Sequence, residues 1–193
     1  MRLRLIVLMA ALGLSVSAFG QAGASRGTAT SMIGGKPVTI EYGRPVLKGR
    51  DFQDLMKKLP ADRMWRAGSG RITILDTGTP LMIGGKRVAA GRYSVYVHCP
   101  EQGNFSLVLN SDLGMPLGKV WAAAPPAQAG ELYPHFEYAK EIADKEVARA
   151  PLMKVPARGV EQLTYELLAS AGGAQLKLSW GNQAWVVELL AAR

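Results

Sequence analysis

The chain carries one cysteine, Cys99, and two histidines, His98 and His135, in 193 residues. A lone cysteine cannot close an intrachain disulfide, so stability has to come from packing. The histidines lack the close spacing of zinc motifs, and no motif calls for a metal or any other cofactor. The 23 Lys and Arg residues outnumber the 15 Asp and Glu and give a formal charge of +8. They form no block of the kind that marks a nucleic-acid-binding tail, so nucleic acid is not an expected partner. The basic balance reads as solubility with a weak attraction to acidic polymers of the cell envelope. Past residue 24 no apolar run approaches the length of a membrane span.

What stands at the start is more informative. Met1-Arg2-Leu3-Arg4 is followed by an apolar run from Leu5 to Ala18, and then by small residues through Ala24. Basic, then apolar, then small is the order of a secretory signal peptide. A single membrane anchor would want about 20 apolar residues, more than this run supplies. Cleavage is expected near Ala18 or Ala24, and no cysteine stands there to carry a lipid. Residues 1–24 are therefore read as a signal peptide and residues 25–193 as one domain, periplasmic or secreted. That length can bury a core without staples.

The expected mature chain alternates with period two. Val38, Ile40 and Tyr42 share a face, as do Tyr93, Val95 and Val97, then Phe105, Leu107 and Leu109. Near the C-terminus come Leu163, Tyr165 and Leu167, then Leu176, Leu178 and Trp180, then Val187 and Leu189. Such short runs, bounded by turn residues, are half-buried antiparallel strands. A near-repeat, Met32-Ile33-Gly34-Gly35-Lys36-Pro37-Val38 and Met82-Ile83-Gly84-Gly85-Lys86-Arg87-Val88, reads as strand, diglycine turn, strand. A phosphate-binding loop would need a helix directly after the glycines, and no helical pattern follows either copy. Gly181-Asn182 closes another expected hairpin. One helix is expected over residues 51–59, stopped by Pro60. Residues 122–131 read as loop, and 135–145 are ambiguous. The expected fold is an all-β antiparallel sandwich, with a jelly roll among its possible forms, and one short helix.

Polar chemistry concentrates in Glu41-Tyr42-Gly43-Arg44-Pro45-Val46-Leu47-Lys48-Gly49-Arg50 and Met64-Trp65-Arg66-Ala67-Gly68. Guanidinium groups suit carboxylates and phosphates, and Trp65 offers a flat face to a sugar or a cation. Glu41, Tyr42, Arg44, Lys48, Arg50, Trp65 and Arg66 are therefore the candidate ligand-binding residues. The other reading of the same residues is a structural clasp in which Glu41 and the arginines tie an irregular loop to the sheet edge. Cys99 has only His98 beside it to lower its pKa, and strand neighbours point to opposite faces, so the two form no dyad.

At these positions the chain resembles a known family. Tyr42-Gly43-Arg44-Pro45 with Lys48-Gly49-Arg50, Trp65-Arg66-Ala67-Gly68, Ala90-Gly91-Arg92-Tyr93-Ser94 and Leu178-Ser179-Trp180 are similar to exported bacterial proteins grouped as domain of unknown function 2911. Residues 145–155 fit the same pattern, and the likeness runs from about Thr28 to about Val187. The resemblance implies secretion and a β-rich single domain; the family has no assigned activity to carry over. The chain departs from it at Ser69-Gly70-Arg71-Ile72-Thr73, where the family pattern leads one to expect Ala-Asn-Glu-Ala-Thr. A guanidinium stands in place of a carboxylate, so a catalytic role for that acid in relatives would imply an inactive member here.

The leading expectation is a non-catalytic envelope module that binds a small anionic or sugar-like ligand or an envelope protein, or that serves a structural role. The alternative is a hydrolase acting on cell-envelope polymers or small anionic substrates. It would use Glu41 as base and an arginine to hold the substrate's charge.

Overall fold

Alternating apolar side chains take most of the chain into strands in the computed structural model, which describes residues 25–192. The leader expected over residues 1–24 lies outside the described residues. In chain order the first strands are β1 (Arg26–Ile33), β2 (Lys36–Gly43), β3 (Met64–Trp65), β4 (Ile74–Thr77), β5 (Leu81–Ile83) and β6 (Lys86–Val88). Then come β7 (Gly91–His98), β8 (Ser106–Asn110), β9 (Met115–Pro116), β10 (Leu132–Tyr133) and β11 (Glu146–Pro151). The last are β12 (Met153–Lys154), β13 (Val160–Ser170), β14 (Gly173–Gly181) and β15 (Gln183–Ala191).

A seven-stranded sheet has the order β1-β2-β4-β7-β8-β11, with β3 paired to β7, and a six-stranded sheet runs β13-β14-β15-β5-β6, with β12 on β15. Neighbouring strands are antiparallel in both. Between the sheets, Val38, Ile40 and Tyr42 of β2, Val95 and Val97 of β7, and Leu107 and Leu109 of β8 meet the other layer. That layer supplies Leu163 and Tyr165 of β13, Leu176, Leu178 and Trp180 of β14, and Val187 and Leu189 of β15. The fold is thus the all-β sandwich that the alternation implies. Among the described residues no helix is long and apolar enough to cross a membrane.

Both diglycine copies are two-residue hairpin turns. Gly34 and Gly35 have φ of 56° and 75°, and Gly84 and Gly85 have 57° and 78°. Positive φ at both central residues is what a type I′ turn demands, and glycine meets it without strain. The first copy joins β1 to β2 in one sheet, the second β5 to β6 in the other.

The helix expected over residues 51–59 is shorter, α1 (Phe52–Met56). The Asp51 carboxylate caps it by accepting from the Gln53 N–H at 2.7 Å, and Phe52 and Met56 are buried. Two further helices, α2 (Leu117–Val120) and α3 (Tyr138–Glu141), are four residues each, too short to register as a period. They belong to an excursion over residues 111–145 that leaves β8, covers the outer face of the seven-stranded sheet, and returns as β11. There Met64, Ile74, Tyr96 and Val108 pack with Tyr138 and Ile142 in a second, smaller core.

Candidate functional site

The residues singled out in the sequence do not converge on one cleft. Tyr42 points into the inter-sheet core, where its hydroxyl accepts from the Tyr165 N–H at 3.0 Å and the two rings meet edge-on at 4.6 Å. Arg44 reaches β13, donating to the Leu163 carbonyl at 3.4 Å and to Thr164 Oγ1 at 3.5 Å. Lys48 contributes its backbone N–H, which the Glu161 carboxylate accepts at 2.6 Å. Arg50 donates twice, at 2.7 Å each, to the carbonyls of Leu47 and Val46. The 44–50 loop is thereby stitched to β13 and to itself, without the pairing of Glu41 to these arginines that the clasp reading expected, since Glu41 pairs with Arg26 and Arg71. The geometric consequence is to fix the chain entering α1.

Trp65 is buried and stacked on Trp180, with centroids 5.7 Å apart and planes 9° apart. Arg66, next to it, is exposed and makes no ion pair with a described residue. Glu41 lies on the opposite face of β2 from Tyr42 and holds Arg26 Nε at 2.7 Å. The sheet register also gives it something that the sequence did not reveal. Glu41 faces Ile74 and Thr39 faces Asp76, so the two carboxylates are diagonal neighbours on one face. Asp76 is itself paired to Arg92 at 3.8 Å, and Arg71 bridges Glu131 at 3.6 Å and Glu41 at 4.0 Å. This is a surface ion-pair lattice in which each acid has a cation.

His135 acquires partners that no motif announces. Nδ1 lies 2.8 Å from Glu141 Oε2 and Nε2 lies 3.1 Å from Asp112 Oδ1, while Lys145 donates to Asp112 at 2.7 Å. Both ring nitrogens are occupied, so neither is free to pass a proton to a substrate. Burial alone would raise the Asp112 pKa, but hydrogen bonds from Lys145, the Gly114 N–H and His135 hold it below the usual range. Glu141 is held low by His135 first and the Glu137 N–H second. Each acid therefore ionises more readily in the folded than in the unfolded chain. Their stabilisation is complete above the unfolded values and is lost as pH falls through the lowered ones. The melting temperature should fall between about pH 5 and pH 3, and a His135→Ala variant should show a shallower fall. Superimposable profiles for the two proteins would contradict this assignment.

The concave site with the most suitable chemistry is at the end of the sandwich beside α1. Its volume is about 440 Å³, within the roughly 300–1,000 Å³ range of small-molecule sites. Phe105, stacked on Trp185 at 5.0 Å with planes 20° apart, gives it an aromatic wall. Gln53, Asn104 and Gln183 line it with amides, and its charged lining residues are Lys57, Arg63 and Lys154 and the single acid Glu101. Lys57 is paired to Asp54 at 2.8 Å, and Arg63 donates Nε to the Cys99 carbonyl at 3.0 Å. Arg63 has φ of 56°, a left-handed conformation that costs a non-glycine residue about 1 kcal/mol or more and is held here by the surrounding bonds. Cys99 is fully buried behind this cleft, and burial pushes its thiol up to about 12, so it is inert. His98 is half-buried at the end of β7, with its pKa lowered by burial and then by Arg149. The cleft draws on residues 53–57, 63, 101–105, 154 and 183–185, which share no spacing that a sequence could display.

Residues 24–189 match the family described as "Protein of unknown function (DUF2911)". The match spans most of the chain, which therefore belongs to this family. No curated protein and no solved structure matches the chain.

Proposed function

We propose that this member of the DUF2911 family is a non-catalytic binding module, exported to the periplasm or beyond, that holds a small anionic sugar-like ligand in the end cleft. The observation carrying this reading is the cleft's composition: an aromatic wall, three amides, and more cations than anions in one concave site. A side-chain amide both donates and accepts, which matches a sugar hydroxyl, and Lys and Arg match a carboxylate. An aromatic face takes the apolar side of a sugar ring. Export rests on the leader pattern of residues 1–24. The loop arginines serve the site indirectly, since the loop they fix leads into α1, whose Gln53 and Met56 line the cleft.

Calorimetric titration with a uronate disaccharide and with its uncharged glucose counterpart tests this. The uronate should bind about tenfold more tightly, the worth of one charge-assisted contact. Lys154→Ala and Asn104→Ala should each weaken it about five- to tenfold, with melting temperatures unchanged because both side chains are exposed. Equal affinity for the two sugars, no binding of either, or indifference to both variants would overturn the reading.

A further inference from the structure

A separate pocket of about 260 Å³ shares none of the end cleft's lining residues. Leu59 and Pro60, Met64 and Trp65 of β3, and Phe136 and Tyr138 of the excursion give it apolar walls. Two polar groups among its lining residues are unspent. The Tyr96 hydroxyl is buried, in a residue only 1 % exposed, and its proton has no acceptor, while the His135 backbone N–H approaches its oxygen. Arg66 stands exposed, with no ion pair to a described residue. Of the other polar lining groups, His135 is committed on both ring nitrogens to Asp112 and Glu141, and the Tyr138 hydroxyl accepts from Asn110 and donates to Glu146 Oε2 at 3.2 Å.

A buried hydroxyl proton without an acceptor costs about 1–3 kcal/mol, and native proteins rarely leave one so. Burial also pushes the Tyr96 ionisation upward, so the group remains a neutral phenol able to donate. A pocket with aromatic walls, a buried donor and an unpaired guanidinium is complementary to a flat, apolar molecule that is anionic at one end and accepts a hydrogen bond at the other. Its size is just below the usual range for drug-sized ligands, which limits the occupant to about one ring.

We infer that this pocket binds a monocyclic aromatic acid with an oxygen substituent opposite its carboxylate. The ring lies among Trp65, Phe136 and Tyr138, the carboxylate meets Arg66, and the far oxygen accepts from Tyr96. No bond is made or broken, and the site is independent of the end cleft.

The test uses 4-hydroxybenzoate, benzoate, which lacks the far oxygen, and 4-hydroxybenzyl alcohol, which lacks the charge. Binding is followed by amide shifts of the intact domain. 4-Hydroxybenzoate should perturb residues 59–66, 96 and 135–138 and bind about tenfold more tightly than benzoate, the value of one buried hydrogen bond. Tyr96→Phe should abolish that difference while leaving the ligand-free melting temperature unchanged or raised, since it removes an unsatisfied group. Arg66→Ala should weaken the acid but not the alcohol. Equal binding of the two acids, shifts elsewhere on the domain, or a lowered melting temperature in Tyr96→Phe would overturn the inference.

Discussion

Alanine at position 43 is expected to lower the melting temperature by more than about 6 °C. An ideal Cβ on Gly43 would overlap the Ser69 carbonyl oxygen, with the Ser69 carbon and nitrogen at 2.7 and 2.8 Å. These are backbone atoms with no flexible end to swing away, so the 66–73 loop would have to lift. That loop is seated by the Ala67 carbonyl, which accepts from Thr73 Oγ1 at 3.1 Å and from the Tyr165 hydroxyl at 3.0 Å. Both donors are buried, and lifting the loop leaves them without partners. Overpacking and lost buried hydrogen bonds together should cost about 3 kcal/mol, about 6–12 °C in a domain of this size. Gly130→Ala is the control, because nothing lies within 4 Å of its Cβ position. Equal melting temperatures for the two variants would show that the loop is not seated against Gly43.

Asn110→Ala should loosen one region rather than the whole molecule. Asn110 is fully buried at the end of β8, and its amide donates to the Tyr138 hydroxyl at 3.1 Å and to the Ile142 carbonyl at 2.7 Å. Its carbonyl accepts from the Asp112 N–H at 2.8 Å. One side chain thus holds both ends of the 111–145 excursion. Its removal leaves the Asp112 N–H without a partner, at about 1–3 kcal/mol less whatever water recovers, and takes one of two bonds each from the Tyr138 hydroxyl, which keeps Glu146, and the Ile142 carbonyl, which keeps the Lys145 N–H. Amide hydrogen exchange should accelerate about tenfold or more across residues 112–145, while β13, β14 and β15 keep their protection. Uniform acceleration over both sheets would contradict this regional role.

The sandwich was legible because its signals are local. Diglycine turns force positive φ, and the alternation of Val38, Ile40 and Tyr42 or Leu176, Leu178 and Trp180 shows which face turns inward. The second core was not, because β7 is buried on both faces from Tyr93 to Val97. Ser94 and Tyr96 read as the wet side of the strand, and nothing nearby shows that Tyr138 and Ile142 return to cover it. The recognisable motifs proved informative about scaffold. Tyr42, Gly43, Trp65, Ala67 and Trp180 meet where loops cross the core, and they need small or flat groups at close quarters. The guanidinium at Arg71, the departure from the family pattern, is ion-paired with Glu131 and Glu41. By contrast the end cleft draws on separate segments whose long-range register alone brings Gln53, Asn104, Lys154 and Gln183 together.

The most direct test of the binding assignment is where an acidic sugar touches the domain. An amide-shift map recorded while a uronate disaccharide is titrated gives that location without any variant. The account predicts saturable shifts confined to residues 53–57, 100–105, 152–154 and 183–185. Shifts centred on Glu41, Asp76 and Arg92, or on no contiguous surface, would contradict it.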